Sequence, residues 1–362
     1  MKKICVVFAN APRHMIMANV YFEYLKENRI PYDIIYLNRY HEKETTGAVN
    51  DYAIDFDTTS NFGKIKSYLS FQSKAASILR NNKYGFIIVW GELTAALLAN
   101  ILRTEYANRY CVNVRDLFVG LRSVLNLQLV RAIKKAAFVT VPSEKYLEEL
   151  DSSYDNYLFI HSYNKKIMLE TNEIALTQNN VKDQPINILF IGNIRFYNHL
   201  IRFIEQIKND LRYVLTVAGS ASEPIREYVE KNKILNVKVY GAFPTKDTAK
   251  YLSDADVIYN LYGTEDINLR YALSNKLYYA IALNLPILVY KNTYMFELSN
   301  RCGIGFAVDD YLDGSFANAF YEWYHNRNIE ETKRKCDAMI QDAIRTQDNL
   351  IQQMNEIKYN LL

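Results

Sequence analysis

Short, unbroken apolar runs alternate along this chain with longer stretches whose apolar residues recur every three or four positions. The runs at 3–9 (KICVVFA), 32–37, 86–90, 110–114, 138–141 and 157–160 predict strands covered on both faces, as in a parallel sheet. Helical spacing predicts helices over 15–27, 64–81 and 93–103, through the basic residues Arg122, Arg131, Lys134 and Lys135, and from Lys145 onward. Residues 40–60 are polar and mixed and read as a long loop. The pattern then starts again. Strands are predicted at 186–191, 214–218, 237–240 and 286–290, with helices near 199–208, 223–232 and 275–285 and a largely helical tail from Asp309.

Two such series predict two α/β domains with parallel sheets. The boundaries read as 1–164 for the first domain, a polar linker over 165–185, a second domain over 186–340, and a C-terminal helix over 341–362 that packs back on the first domain. The length of 362 residues suits two domains of ordinary size.

Composition narrows the function classes. A net charge of +3 is too balanced to argue for nucleic acid. Cys5, Cys111, Cys302 and Cys336 are scattered, form no C-x-x-C, and suggest neither a zinc site nor a disulfide framework. The apolar run near the N-terminus is too short for a leader and reads as a buried strand. No stretch approaches the ~18 apolar residues of a membrane span. A reducing cytoplasmic setting is therefore expected.

In a parallel sheet, ligands lie beyond the C-terminal ends of the strands. Asn10, Glu92, Arg115, Asp116 and Ser143 fall at such ends in the first half, where no G-x-G-x-x-G accompanies them. In the second half, the stretch GTEDINLRYALSNKLYYAIALNLP (263–286) runs from a polar loop into a helix, with Ser274 or Asn275 as the cap. Free N–H groups and the dipole at a helix start favour an anion. Lys276 adds a full charge there, as a diphosphate site requires. Gly192, following strand 186–191, permits close approach of a ligand to the backbone. Arg195 beyond it offers a guanidinium fork for phosphate oxygens.

The segment SNKLYYAIALNLPILV resembles one carried by family-4 glycosyltransferases of the GT-B fold, which use nucleotide sugars: Pro-x-Lys-hydrophobic-x-Glu-hydrophobic-x-Ala-x-Gly-x-Pro. Lys276, Ala282 and Pro286 match, whereas Ser274, Tyr279 and Asn284 stand for the Pro, Glu and Gly. ILFIGNIRFYNHLIRFI and NVKVYGAFPTKDTAKYLSDADVIYNLY are similar to two further segments of the same family, and AAFVTVPSEKYLEEL to a third.

The resemblance implies two facing Rossmann-like domains and a sugar transferase of cell-surface (capsular) polysaccharide synthesis. It implies a retaining course, no metal, and a glycan or lipid-linked acceptor. It places the donor diphosphate at Gly192, Asn193, Arg195, Asn275 and Lys276. Sugar, ribose and base fall to Asp266, Asn268, Arg270, Tyr279, Gly241, Ala242 and Phe243. Asn10, Arg13, Glu92 and Arg115 take the acceptor side, though Arg13 equally suits solvating a helix start. An inverting enzyme would need a base, for which Asp116 and Glu92 are the carboxylates, and Asp116 also suits pairing with an arginine. The two basic helices read as solvated faces or as a surface meeting anionic lipid at the inner face of a membrane.

The family's two glutamates, with seven residues between them, are replaced by Tyr271 and Tyr279, with Glu265 or Asp266 as shifted substitutes for the first. That departure keeps open a non-catalytic subunit binding a glycan or a partner transferase. A nucleotide-sugar epimerase is the third reading.

Overall fold

A computed structural model describes residues 3–15, 18–42, 44–57, 60–118, 122–150, 153–161, 170, 184–311 and 313–361. The chain divides into two units, one running up to His161 and taking in the chain from Arg345 onward, the other covering the residues between. Apart from residues 170, 184 and 185, the expected linker over 165–185 lies outside the described residues.

Among the described residues the first unit holds one parallel sheet: β1 (Ile4–Phe8), β2 (Tyr32–Asn38), β3 (Asp51–Asp55), β4 (Phe86–Trp90), β5 (Tyr110–Asn113), β6 (Phe138–Val141) and β7 (Tyr157–Phe159). Their order is β3-β2-β1-β4-β5-β6-β7. Strands β1, β4, β5 and β6 are almost wholly buried, which accounts for their apolar sequences. The order reverses between β1 and β4, and that switch leaves a crevice at the C-terminal ends of these two strands.

The second unit repeats the plan with β8 (Ile186–Ile191), β9 (Tyr213–Ala218), β10 (Val237–Tyr240), β11 (Val257–Tyr259), β12 (Ile287–Val289) and β13 (Gly305–Ala307). All pair in parallel, in the order β10-β9-β8-β11-β12-β13. Its switch falls between β8 and β11. Hydrophobic residues fill both faces: Leu189, Ile191, Leu277 and Ile281 on one, Phe190, Phe203, Tyr259 and Phe316 on the other.

Three expectations are corrected. Residues 51–55 form an edge strand rather than loop: β3 pairs only with β2, and its sequence DYAID exposes both aspartates while burying Ile54. A half-exposed edge strand needs little apolar sequence, because main-chain pairing forms it. The helix expected over 15–27 starts at Asn19, after a 3₁₀ turn at Pro12–His14. The helix expected from Lys145 is one 3₁₀ stretch, Glu144–Glu148.

The last helix, Ile329–Leu361, supplies both cores. Cys336 and Ala343 belong to the second unit's core, whereas Leu350, Met354 and Ile357 are buried against β1, β4 and the helix Asn19–Glu27 of the first. There the Tyr24 hydroxyl donates to Asn355 Oδ1 at 2.8 Å, and Lys358 Nζ donates to Asn28 Oδ1 at 2.8 Å.

Candidate functional site

The second unit's switch assembles its loops tightly. Gly192 ends β8 at φ +119°, with open space where a side chain would stand. The loop leans on its neighbour: a Cβ on Gly219 would lie 1.7 Å from the Gly192 carbonyl oxygen, so only glycine fits at 219. Ile194 N–H donates to Ser220 O at 3.1 Å, and Ser220 Oγ donates to Asn193 Oδ1 at 3.0 Å. Arg195 projects from this tied loop, exposed and with no ion-pair partner among the described residues.

Across the switch, β11 runs into Asn260, whose Oδ1 accepts from the Ser274 hydroxyl at 2.8 Å. Ser274 is the cap of the helix Asn275–Ala282, its Oγ accepting from Lys276 N–H at 3.3 Å. The cap is thus anchored to the strand end. Lys276 is only 5% exposed. Its ammonium lies 4.6 Å from the centre of the Phe190 ring and 4.5 Å from that of Tyr262, and it donates to the Tyr262 hydroxyl. No carboxylate among the described residues pairs with it. Aromatic faces stabilise a cation modestly, by about 0.5–2 kcal/mol. A buried charge held only so is poised for an anion. Phe196, next to Arg195, packs on Tyr262 with ring centres 5.4 Å apart, which joins the Arg195 loop to the Lys276 pocket.

Around this pocket the other expected donor residues are unevenly placed. Asp266 caps the short helix Ile267–Tyr271: its Oδ1 accepts from Asn268 N–H at 2.7 Å and Leu269 N–H at 3.1 Å. Only its second oxygen is left for a sugar hydroxyl. Arg270 is exposed, while Asn268 and Asn275 are half-buried. Tyr279 sits in the hydrophobic core, where burial pushes its phenol up to about 12. It is therefore a neutral core residue rather than a stand-in for the glutamate carboxylate. Gly241 and Ala242 are exposed, and Phe243 packs on Tyr251 with ring centres 4.8 Å apart, while the Tyr240 ring stands 5.9 Å from that of Tyr251.

Glu265 does not replace the missing glutamate freely either. Its Oε1 lies 3.0 Å from His199 Nε2, and His199 Nδ1 lies 2.7 Å from the Tyr290 hydroxyl. Sequence reasoning missed Tyr262 and Tyr290. The one signal pointing to them is position: each falls just beyond the end of a switch-side strand, β11 or β12.

In the first unit the expected residues split into two groups. Glu92, Arg115 and Asp116 come together at the ends of β4 and β5, with Glu92 Oε2 accepting from Arg115 N–H at 3.4 Å and Asp116 N–H at 3.2 Å. Burial raises the Glu92 carboxyl above its ordinary value, and the Asp116 charge adds to the rise. Burial lowers the Arg115 guanidinium, which stands 5.5 Å from the Trp90 ring centre. Arg13 is not part of this group. It pairs with Glu42 and Glu44, both at 2.6 Å, and lies over Tyr40 at 4.4 Å. Asn10 accepts from the Ala11 N–H at 2.8 Å, a local turn bond. Among the described residues no group of three His, Cys, Asp or Glu side chains is arranged to hold a metal.

No family model matches the chain, and no curated protein matches it in sequence. Solved structures do match. Sucrose-phosphate synthase from Thermosynechococcus elongatus is similar at TM-score 0.70 and 11% identity, over 100% of this chain and 99% of that one. WaaG, a glycosyltransferase involved in lipopolysaccharide biosynthesis, is similar at TM-score 0.64 and 12% identity, over 96% and 98%. UDP-GlcNAc 2-epimerase from Neisseria meningitidis, bound to UDP-GlcNAc, is similar at TM-score 0.56 and 15% identity, over 95% and 100%. At these identities the likeness speaks for architecture, and together with the two parallel-sheet units it gives this chain the GT-B fold.

Proposed function

We propose that this chain is a glycosyltransferase. It moves a sugar from a nucleoside-diphosphate sugar to a glycan or lipid-linked saccharide of a cell-surface polysaccharide. The observation that carries the reading is Lys276: a buried ammonium, lodged between aromatic faces, without a carboxylate among the described residues, at a capped helix start beside a topological switch. Departure of the sugar builds negative charge on the leaving diphosphate. Lys276, Arg195 and the N–H groups near Asn275 would meet that charge, without a metal, more strongly in the transition state than before it. Phe243 and Tyr251 offer the base an aromatic surface, and the free oxygen of Asp266 with Arg270 offers the sugar polar contacts. The retaining course rests on the family resemblance alone. Glu92 and Asp116 suit hydroxyl groups of an acceptor better than they suit phosphate.

The membrane part of the reading rests on helix composition. The helix Asn61–Asn82 contains no acidic residue, and it exposes Phe62 (78%), Ile65 (59%) and Leu69 (58%) beside Lys64, Lys66 and Lys74. The helix Arg122–Ile133 is also acid-free and exposes Val124 and Leu127. Apolar residues flanked by cations suit an anionic bilayer surface. No helix among the described residues is long and apolar enough to cross a membrane. Sedimentation with phosphatidylglycerol vesicles, but not with phosphatidylcholine vesicles, is the expected result. Equal binding to both, or to neither, would remove the membrane from the reading.

The deciding experiment for the activity is a donor-hydrolysis screen across uridine, guanosine and cytidine diphosphate sugars, with calorimetry on the bare nucleotides. Binding and turnover of one donor supports the transferase. Failure to bind any nucleotide favours a non-catalytic subunit, the reading for which the buried, neutral Tyr279 speaks. An epimerase would convert its sugar nucleotide with no acceptor present.

A further inference from the structure

Three side chains from three separate strand-end segments meet at the rim of the Lys276 pocket. His199 lies on the helix Tyr197–Ile207 that follows the Arg195 loop, Glu265 in the loop after β11, and Tyr290 at the end of β12. A carboxylate only accepts, so His199 Nε2 carries the proton it shares with Glu265 at 3.0 Å. The Tyr290 hydroxyl lies 2.7 Å from the other ring nitrogen, Nδ1, and completes the chain. Tyr290 is 7% exposed, and its carbonyl accepts from Thr293 Oγ1 at 2.6 Å, so the far end of the chain is fixed. The near end is not, since the Glu265 side chain is 63% exposed.

Gly263 completes the device. It holds φ +96°, and a Cβ there would stand 1.9 Å from Glu265 Oε2. The carboxylate therefore folds back over a bare glycine to reach the imidazole. Its neighbour Asp266 caps the helix Ile267–Tyr271, so the position of Glu265 sets that of the cap and of Arg270.

We propose that His199 is a positioning residue that latches the 263–266 loop against the Arg195 side of the pocket, so that the loop closes over the sugar of a bound donor. The proposal rests on the donor reading above and adds what holds the sugar-facing loop. A pair this exposed is weak, as suits a latch that opens for donor entry. Its effect falls on the sugar and spares the nucleotide.

The test uses the full-length chain. His199→Phe keeps the ring packed against Phe196 and Tyr290 but removes both hydrogen bonds; Glu265→Ala and Gly263→Ala remove the same contact without touching the histidine. Glu265→Gln retains an acceptor for Nε2–H and should behave nearly as the native chain does. Hydrogen exchange of the amides over 263–271 should quicken in the first three variants and not elsewhere. Affinity for the donor found in the hydrolysis screen should fall about two- to fivefold, while affinity for the corresponding bare nucleoside diphosphate holds. Equal losses for donor and bare diphosphate, or unchanged exchange over 263–271, would overturn the latch. If the native chain binds no nucleotide, the donor reading fails on its own, and so does the latch's role in donor binding; the exchange measurement still decides whether His199 holds the loop.

Discussion

The two units share one plan, a parallel sheet with a switch beside its first strand, yet their switch regions carry opposite electrostatics. In the first unit the cation nearest the opening turn, Arg13, is neutralised twice, by Glu42 and Glu44. Arg115 sits beside Glu92 and Asp116, with backbone N–H groups of both 115 and 116 turned toward the Glu92 carboxylate. In the second unit Lys276 is buried against rings, and Arg195 stands exposed, neither with a carboxylate partner among the described residues. The lesson is that topology supplies the crevice and local charge decides its guest. Carboxylates suit hydroxyl groups; an unneutralised ammonium suits phosphate.

The largest expected effect comes from Lys276→Met. Losing a contact to the leaving diphosphate should cost about 2.7–4 kcal/mol, or about 10²–10³ in kcat. The same variant should hold or raise the thermal midpoint of the nucleotide-free protein, because a thioether among Phe190 and Tyr262 escapes the desolvation cost of a buried ammonium. Single-turnover transfer and a melting curve check both halves. A midpoint several degrees lower would make Lys276 a structural residue and erase the contrast between the units.

Arg195→Ala comes next, with transfer reduced about 10–100-fold, as for one charge-assisted contact. Stability should stay within about 0.5 kcal/mol, since the side chain is exposed and has no ion-pair partner among the described residues. Wild-type rates in that variant would leave Lys276 alone in the diphosphate assignment.

Two smaller effects sharpen the first unit's side of the comparison. Glu92 has its carboxyl raised in the folded chain, so between the ordinary glutamate value of about 4.3 and the raised one the folded state binds more protons than the unfolded state. Stability contributed at this position therefore falls as pH rises through that window. Glu92→Gln keeps an acceptor for the two N–H groups, so its thermal midpoint should gain on the native chain as pH rises past the window and then level off. A midpoint difference independent of pH would refute the shift. Arg13→Ala should change transfer least of all, because its charge is already spent on Glu42 and Glu44. Loss of transfer there would show that the first unit, too, uses a cation on its ligand.

The unequal legibility of these features in the sequence has physical causes. Strands β1 and β8 announce themselves because both faces are covered, and each run is apolar but for Asn187 in β8. Ser274 is readable as a cap because capping is local, a hydroxyl answering the N–H two residues on. Strand β3 escapes notice because one face and one edge are open, so its residues carry almost no pattern. Lys276 is readable as a residue but not in its surroundings, since Phe190 lies far earlier in the chain, in strand β8. The contacts of His199 are hidden for the same reason: Glu265 is 66 positions away and Tyr290 is 91, and no local periodicity encodes such a meeting. Sequence revealed the capped helix start and its lysine, while the aromatic lining and the contacts of His199 needed the fold.

The helix Ile329–Leu361 has a consequence for how the protein is made. A ribosome delivers the residues up to His161 well before Leu350, Met354 and Ile357, which that half buries. The first unit therefore stays incomplete until the second unit's sheet has been made, and a nascent chain halted before residue 350 would carry a first half with an open seam.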